Sequence, residues 1–283
     1  MITTHKIFFK NSKQLNELAD GSVDLIVTSP PYPMIEMWDV IFADQNEKIG
    51  KALEKEDGPL AFELMHQELD KVWDDIFRVL KPGGIACINI GDATRTINGH
   101  FALYTNHTRI HTAMQKLGFS ALPVIIWRKQ TNAPNKFMGS GMMPPGAYVT
   151  LEHEYVLILR KGNKKEYKTE SEKKLRRESA FFWEERNIWF SDIWMDLKGT
   201  SQNLLDKNAR NRSAAYPFEL PYRLITMFSV KTDNVLDPFL GIGTTMYAAM
   251  AAGRNSIGYE IDHNLSKNIM PCLLYTSPSP RDC

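Results

Sequence analysis

Short apolar runs alternate with longer amphipathic stretches along this chain, which is the pattern of an α/β protein. Residues 23–27 and 85–90 are short, mainly apolar runs with the length of buried parallel strands. Between them, apolar residues recur every three or four positions from 59 to 80, which predicts a helix packed on the core. The Lys-Pro-Gly-Gly run at 81–84 is expected to end that helix.

Shorter segments extend this prediction along the chain. Residues 6–9, 122–127 and 154–159 are expected to form strands, the last two as an antiparallel pair, and residues 105–117 a helix. Residues 34–58 mix aromatic, charged and glycine positions. They are predicted to form a mobile loop, either a flap over the substrate or a plain surface excursion.

A strand, a glycine turn, a helix and a second strand are predicted between residues 234 and 262. Gly241 and Gly243 make the turn, and the helix that follows begins with free N–H groups that suit an anionic group. Asp237 precedes the turn. Glu260 follows the second strand, where a carboxylate can accept hydrogen bonds from the two hydroxyls of a ribose. A βαβ unit without a ligand is the alternative.

Composition narrows the class of protein. With 283 residues, 43% hydrophobic and 24% charged, the chain can bury a sizeable core. Its formal net charge of +1 says little about nucleic acid, since opposite faces can differ in charge. Cys87, Cys272 and Cys283 lack metal-ligand spacing, and no apolar run is long enough to span a bilayer. We therefore expect a soluble protein with no metal site and no membrane partner.

Two motifs together resemble those of a known family. The run from Asp237 to Thr245, Asp-Pro-Phe-x-Gly-x-Gly-Thr-Thr, resembles the cofactor motif of amino-group DNA methyltransferases, which use S-adenosylmethionine. Residues 29–32 resemble that family's catalytic motif Ser-Pro-Pro-Tyr, which is characteristic of enzymes that methylate the N4 amine of cytosine. The catalytic motif lies about two hundred residues before the cofactor motif, which is the order of the beta class. The resemblance implies a Rossmann-like α/β sheet of the S-adenosylmethionine-dependent methyltransferase type, circularly permuted, with an inserted target-recognition region.

The catalytic motif suits the chemistry of an exocyclic amine, whose lone pair is delocalised into the base. The Ser29 side chain and the Pro30 carbonyl can accept both amine hydrogens and orient the lone pair toward the methyl donor. Pro31 stiffens the loop together with Pro30, and Tyr32 can stack on a base flipped out of the duplex. Taken alone, the run is equally compatible with a plain strand-ending turn.

The resemblance also assigns cofactor contacts. It implies that Asp237 holds the methionine amine, that the turn from Gly241 to Thr245 holds its carboxylate, and that Glu260 holds the ribose. The expected cofactor site consists of Asp237, Pro238, Phe239, Gly241, Gly243, Thr244, Thr245 and Glu260, with Asp92 lining the pocket and Pro217 opening a Pro-x-x-x-Pro element beside it. Asn11-Ser12 departs from the Gly-Asp pair that members carry near the first strand, which puts an adenine contact there in doubt.

The chain divides into four predicted segments. Residues 1–129 form the catalytic half, and residues 130–213 the target-recognition insertion, which includes a closing sheet strand near 154–159. Residues 214–270 form the cofactor-binding half, and residues 271–283 are expected to be a non-native tail. Within the insertion, nine Lys or Arg residues lie between 160 and 177. They are either solvated surface or a segment that contacts phosphates. The three tryptophans Trp183, Trp189 and Trp194 then indicate a packed region.

The sequence therefore predicts a site-specific DNA methyltransferase that acts on the cytosine N4 amine of duplex DNA by base flipping. Adenine N6 methylation is the main alternative, followed by an RNA or protein methyltransferase and by an inactive DNA-binding relic. The expected partners are double-stranded DNA and, in a restriction-modification setting, a companion restriction endonuclease acting separately. We expect a monomer or homodimer in the cytoplasm of a prokaryote, associated with the nucleoid.

Overall fold

The computed structural model describes residues 2–129, 149–199, 216–266 and 269. Three predicted features lie outside the described residues: most of the polar loop between the closing strands (130–148), the polar segment at 208–213, and the C-terminal tail at 271–283. None of the helices in the described part of the chain is both long enough and apolar enough to cross a bilayer.

One mixed sheet forms the centre of the described structure. Its strands follow the spatial order β1-β11-β10-β2-β3-β8-β7-β9, with β6 paired to β8, and β4 and β5 form a separate hairpin. The strands are β1 His5–Phe8, β2 Val23–Thr28, β3 Leu80–Ile90, β4 Ala93–Ile97, β5 His100–Tyr104, β6 Phe119–Ala121, β7 Ile125–Arg128, β8 His153–Lys161, β9 Ile193–Trp194, β10 Asn234–Asp237 and β11 Asn255–Tyr259.

The late strand β10 lies at the middle of the sheet, parallel to the early strand β2. Val235 is in register with Leu25, and Leu236 with Ile26. The carboxyl ends of the two strands therefore lie at the same edge, which brings the two sequence motifs together. This arrangement confirms the predicted permuted order and the antiparallel closing pair of β7 and β8.

Helices cover both faces of the sheet. They are α1 Asp39–Gln45, α2 Glu47–Glu54, α3 Gly58–Val79, α4 Asn106–Lys116, α5 Glu170–Glu178, α6 Trp183–Trp189, α7 Glu219–Phe228 and α8 Thr244–Ala251. Along β2, Ile26 packs into the core that contains α3, whereas Leu25 and Val27 pack into the core that contains α7 and α8. Because β2 is covered on both sides, every one of its residues is apolar or hydrogen-bonded, as expected for a central parallel strand.

The predicted stripe of α3 is confirmed as core. Met65, Leu69, Val72 and Trp73 are all buried. The helix begins where the Asp57 side chain accepts a hydrogen bond from the Leu60 amide at 3.1 Å, and Pro59 lies in its first turn. Proline is tolerated there because the N–H groups of the first turn have no partner within the helix, so the N–H that proline lacks is not needed.

Residues 34–58 are largely helical, so the prediction of a mobile loop was wrong. They contain a 3-10 turn at Glu36–Trp38 and then the helices α1 and α2. Phe42, Ile49 and Ala52 are buried against the core. Helices of seven and eight residues carry only about two turns of apolar spacing, too little for periodicity to reveal them.

The Lys-Pro-Gly-Gly run at 81–84 follows the end of α3, as predicted, but it belongs to the next strand, which was expected to begin only at Ile85. Helix α3 ends at Val79, and the Lys-Pro-Gly-Gly run lies inside β3, where the pairing with β2 shifts between Val23 and Leu25. Gly83 takes a positive φ of 84° at this irregularity. A glycine run that was predicted to end the helix thus also forms an irregularity in the pairing of the next strand. The region of the three tryptophans was predicted to be packed. This is confirmed for Trp189 and Trp194, which are buried, but not for Trp183, which is 69% exposed.

Candidate active site

A single cavity at the carboxyl ends of β2, β10 and β11 joins the two motifs. The predicted site residues on its wall are Ser29, Pro30, Pro31, Tyr32, Asp237, Pro238, Phe239, Gly241, Thr244 and Glu260. Four others, Gly243, Thr245, Asp92 and Pro217, are not on the wall.

The glycine turn has the backbone that a close ligand contact requires. Gly241 and Gly243 have φ values of 56° and 89°, in the left-handed region where a side chain is strained. A Cβ added at Gly241 would meet no atom within 4 Å, whereas one at Gly243 would lie 3.3 Å from Met246 Cε. The first glycine therefore leaves open space at the cavity, and the second packs behind the turn.

The Asp237 carboxylate is held from both neighbouring elements. Its Oδ1 accepts hydrogen bonds from Thr28 Oγ1 at 2.6 Å and from the Phe239 amide at 3.0 Å. Its Oδ2 accepts one from Thr245 Oγ1 at 2.5 Å. Burial raises the pKa of Asp237. Thr245 thus acts at the site by fixing Asp237 rather than by lining the cavity, and the Tyr216 hydroxyl is hydrogen-bonded to the hydroxyl of Thr245 in turn.

Glu260 is placed at the other side of the glycine turn. Its Oε2 accepts a hydrogen bond from the Gly241 amide at 2.8 Å, and its Oε1 one from the Asp262 amide at 2.7 Å. Burial raises the pKa of Glu260 to about 7. The carboxylate is therefore fixed by two backbone donors on the cavity wall, where it can accept further hydrogen bonds from a polyol.

The catalytic motif begins directly after β2. Ser29 Oγ donates a hydrogen bond to the Tyr32 hydroxyl at 3.2 Å, and this hydroxyl donates to Glu154 Oε2 at 3.0 Å. Burial and the nearby Glu154 charge raise the pKa of Tyr32, so its hydroxyl stays protonated. The Tyr32 ring lies against Gly91, where an added Cβ would be 3.0 Å from Tyr32 Cε2.

The loop after Tyr32 is held by a buried asparagine that the sequence did not indicate. Asn106 Nδ2 donates to the carbonyls of Pro33 at 3.1 Å and Gly91 at 3.0 Å. Its Oδ1 accepts a hydrogen bond from His66 Nε2 at 3.0 Å. Burial lowers the pKa of His66 to about 3, so this imidazole is neutral at ordinary pH. A polar residue at the start of a helix gives no sequence signal for such a contact with a loop distant in the chain.

Two expected pocket residues lie elsewhere. Asp92 follows β3 as predicted, but its Oδ1 accepts from the His107 amide at 3.1 Å and its carboxylate pairs with His107 Nδ1 at 2.8 Å. It thus fixes the first turn of α4. Pro217 is also off the cavity wall, which carries its neighbour Tyr216 instead. Asn11 and Ser12, which depart from the family pattern, do line the cavity.

The described residues offer no group of three His, Cys, Asp or Glu side chains that could hold a metal ion. The groups that the described cavity wall presents to a ligand include hydrogen-bond acceptors, backbone amides and an open glycine turn.

Comparison with known proteins gives consistent matches. The N6/N4 DNA methylase family model matches residues 23–270. The type II methyltransferase M.MthZI of Methanothermobacter thermautotrophicus is 62% identical over 265 residues, covering 93% of this chain and 75% of that protein. The type II methyltransferase M.MjaI of Methanocaldococcus jannaschii is 51% identical over 274 residues, covering 93% and 89%.

Solved structures show the same relationship. A proposed DNA modification methylase from Thermus thermophilus, complexed with S-adenosyl-L-methionine, has a TM-score of 0.72 and 31% identity, covering 94% of this chain and 93% of that one. The cytosine-N4-specific PvuII DNA methyltransferase has a TM-score of 0.64, covering 100% of this chain and 90% of that one. Its identity is 17%, so this similarity shows the fold alone.

Proposed function

Because the chain belongs to the N6/N4 DNA methylase family, we propose that it methylates the exocyclic N4 amine of cytosine in duplex DNA, with the target base flipped out of the helix. Family membership makes it a DNA methyltransferase that uses S-adenosylmethionine. The choice of cytosine N4, the mode of base access and the roles of single residues are the proposed part.

The cavity fits this cofactor. When bound, S-adenosylmethionine would supply a methyl carbon on a sulfonium sulfur for transfer to the target amine, with neutral S-adenosylhomocysteine as the leaving group. Glu260 would accept hydrogen bonds from the ribose hydroxyls, and Asp237 would hold the methionine amine. The open Cβ position at Gly241 leaves room for the ligand to approach the backbone, and the α8 amides beyond it suit the methionine carboxylate.

The observation that carries the proposal is the shared wall of the two motifs. Ser29 and Asp237 terminate neighbouring parallel strands and line one cavity. An amine held by the Ser29 hydroxyl and the Pro30 carbonyl would therefore face the methyl donor without rearrangement of the sheet. Accepting both amine hydrogens would orient the nitrogen lone pair toward the methyl group. This orientation matters because conjugation with the base makes the lone pair weakly nucleophilic.

Serine at position 29 supports cytosine as the target. The resemblance associates Ser-Pro-Pro-Tyr with cytosine N4 enzymes, whereas adenine N6 enzymes more often carry aspartate or asparagine at its first position. The two amines are chemically close, so adenine N6 is the alternative that the product must distinguish.

The relatives' names place them in type II restriction-modification. We accordingly propose that this chain modifies a specific DNA site that a separate restriction endonuclease cleaves when unmodified. The recognition role of residues 130–213 stays a prediction. Part of the basic block within it is structural, since Lys165 pairs with Asp24 and Asp233 at 3.0 Å. The α5 cations Lys174 and Arg177 are exposed, with Lys174 3.9 Å from Glu178, and are the candidates for phosphate contact.

Methyl transfer from labelled S-adenosylmethionine to duplex DNA, single-stranded DNA and RNA tests the proposed substrate. We expect label in duplex DNA only, with a strong decrease as salt rises, because phosphate contacts release counterions. Preferential labelling of RNA would overturn the substrate assignment. Cofactor binding by calorimetry without methyl transfer to any nucleic acid would point to an inactive relic.

A further inference from the structure

Glu154 contacts the catalytic motif through a hydrogen bond with Tyr32. It is at the start of β8, is 9% exposed, and is remote in sequence from both motifs. Its Oε2 accepts hydrogen bonds from the Tyr32 hydroxyl at 3.0 Å and from Asn89 Nδ2 at 2.7 Å. Its Oε1 accepts one from Lys129 Nζ at 2.9 Å. The Lys129 ammonium thus forms an ion pair with this largely buried carboxylate.

A carboxylate can only accept hydrogen bonds, and this fixes the direction of every bond that leads to Ser29. The Tyr32 hydroxyl must point its proton at Glu154. Its oxygen then accepts from Asn89 Nδ2 at 2.9 Å and from Ser29 Oγ at 3.2 Å. The single proton of the Ser29 hydroxyl is thereby directed at Tyr32, which leaves the serine lone pairs for another donor.

We propose that Glu154 is a positioning residue that makes Ser29 a pure hydrogen-bond acceptor for the target amine. This inference rests on the proposed role of Ser29 in holding the amine. An exocyclic amine offers two donors, so a serine proton pointing toward it would oppose binding. Without the Glu154 carboxylate, the Tyr32 proton can turn toward Ser29, and the serine proton can turn toward the amine.

The close packing around Gly91 keeps this arrangement fixed. A Cβ at that position would lie 3.0 Å from Tyr32 Cε2 and 3.3 Å from Glu154 Cγ. Both side chains thus pack against the backbone of Gly91, where an added side chain would displace them. Gly91 therefore belongs to the group of residues that positions Ser29.

A double-mutant cycle between Glu154→Gln and Tyr32→Phe tests the proposal. Glutamine keeps the shape of the side chain but brings a donor group. We expect Glu154→Gln alone to lower kcat by about tenfold to a hundredfold, the usual range for a hydrogen bond to a charged group, with cofactor Kd nearly unchanged. In the Tyr32→Phe background, Glu154→Gln should have no further effect on kcat, because the bond through which it acts is gone.

Equal losses from Glu154→Gln in both backgrounds would overturn the proposal, as would full activity of the single variant. If Glu154→Gln does not fold, the same cycle is run with Glu154→Asp, which keeps the charge on a shorter side chain. Asp24→Asn is the matched control, since Asp24 is another buried carboxylate held by two lysines, Lys81 and Lys165, at the opposite end of β2. It should lose stability and retain kcat.

The cycle is measured on whichever base the unmodified enzyme methylates. N6-methyladenine as the product would refute the cytosine assignment and leave the cycle fully interpretable. Coupling between Glu154 and Tyr32 would then still support the positioning role, and its absence would still refute it.

Discussion

The Ser29 hydroxyl is the group that we expect to contribute most to the methyl-transfer step. Ser29→Ala should lower kcat by roughly a hundredfold to a thousandfold, the range seen when one preorganised hydrogen-bonding group is removed from an active site. Cofactor Kd, measured by calorimetry, should change little because the ligand is expected to be held by Glu260 and the glycine turn.

Ser22→Ala provides the matched control for this substitution. Ser22 precedes β2 at the other end, and its hydroxyl donates only to the Ala19 carbonyl, at 2.7 Å. Its removal should leave kcat unchanged. Unaltered turnover of Ser29→Ala would contradict the role assigned to Ser29.

The raised pKa of Glu260 leads us to expect that cofactor binding depends on pH. Burial raises its pKa to about 7, so the carboxylate is protonated below that pH and ionised above it. Since the ionised form is the better acceptor for two ribose hydroxyls, cofactor affinity should fall as pH decreases through about 7. Calorimetric titrations of the wild type and Glu260→Gln isolate this effect from the cofactor's own titration. Equal pH profiles for the two proteins would contradict it.

The same carboxyl affects the stability of the protein without cofactor. Its folded pKa lies above the ordinary value of 4.5, so the folded state binds the proton more tightly than the unfolded state. The stability contributed by this protonation is present at low pH and is lost as pH rises through about 7. In Glu260→Gln, the free energy of unfolding should no longer decrease as pH rises through about 7. Denaturant titrations at several pH values measure this difference.

At the residue scale, contiguous motifs were predictable and distant partners were not. Ser29, Tyr32, Asp237 and Glu260 lie in runs whose chemistry is visible in the sequence itself. Asn106 and Glu154 act on the same loop only because α4 and β8 bring them there. Asp92 was expected in the cavity, but the start of α4 offers it an amide and an imidazole at closer range.

At the level of elements, the turn between β10 and α8 depends on Gly241. Gly241→Ala places a side chain at a φ of 56°, which costs about 1 kcal/mol of stability. Gly21→Ala is the matched control, because Gly21 has a φ of 59° and equally open surroundings away from the cavity. Both variants should lose similar stability, and only Gly241→Ala should also lose cofactor affinity. Equal cofactor affinities would mean that the ligand does not approach this turn.

Helix α1 is tied to the β4-β5 hairpin by a two-pronged ion pair. Arg95 donates to both oxygens of Asp39, at 2.9 and 2.7 Å. Ile41, Phe42 and Gln45 of α1 line the cavity. Arg95→Met should therefore weaken cofactor binding and increase amide hydrogen exchange in α1, with a stability loss of about 1 kcal/mol.

Arg109→Met separates this effect from general destabilisation. Arg109 joins α4 to Glu63 and Asp70 of α3 with comparable side-chain burial and is not on the cavity wall. It should reduce stability by a similar amount and leave cofactor affinity intact. If both arginine variants bind cofactor equally, the α1 anchor has no role at the site.

Element length decided which helices and strands could be predicted. The 22 residues of α3 repeat their apolar spacing many times, and β2 is a mainly apolar run. Helices α1 and α2 form in a segment whose short pattern resembles a loop, and they are stabilised by burying Phe42 and Ile49. Their structure is set by tertiary contacts, which a single sequence does not display.

For the whole molecule, the sheet order explains why two motifs about two hundred residues apart make one site. Strand β10 enters the sheet between β11 and β2, so the cofactor turn and the catalytic motif follow adjacent parallel strands. The carboxyl edge of such a sheet is where ligands bind in open α/β folds. The order of the motifs in the sequence was enough to predict this permutation. The side chains that support the catalytic loop could be identified only from the structure.

The identity of the methylated base tests the central claim most directly. The wild-type protein is incubated with S-adenosylmethionine and duplex DNA of mixed sequence, and the DNA is then digested to nucleosides for mass spectrometry. We predict N4-methylcytosine, formed roughly a hundredfold to a thousandfold more slowly in a parallel reaction with Ser29→Ala. N6-methyladenine as the product would contradict the assignment of cytosine. The same site geometry would then serve the adenine N6 amine.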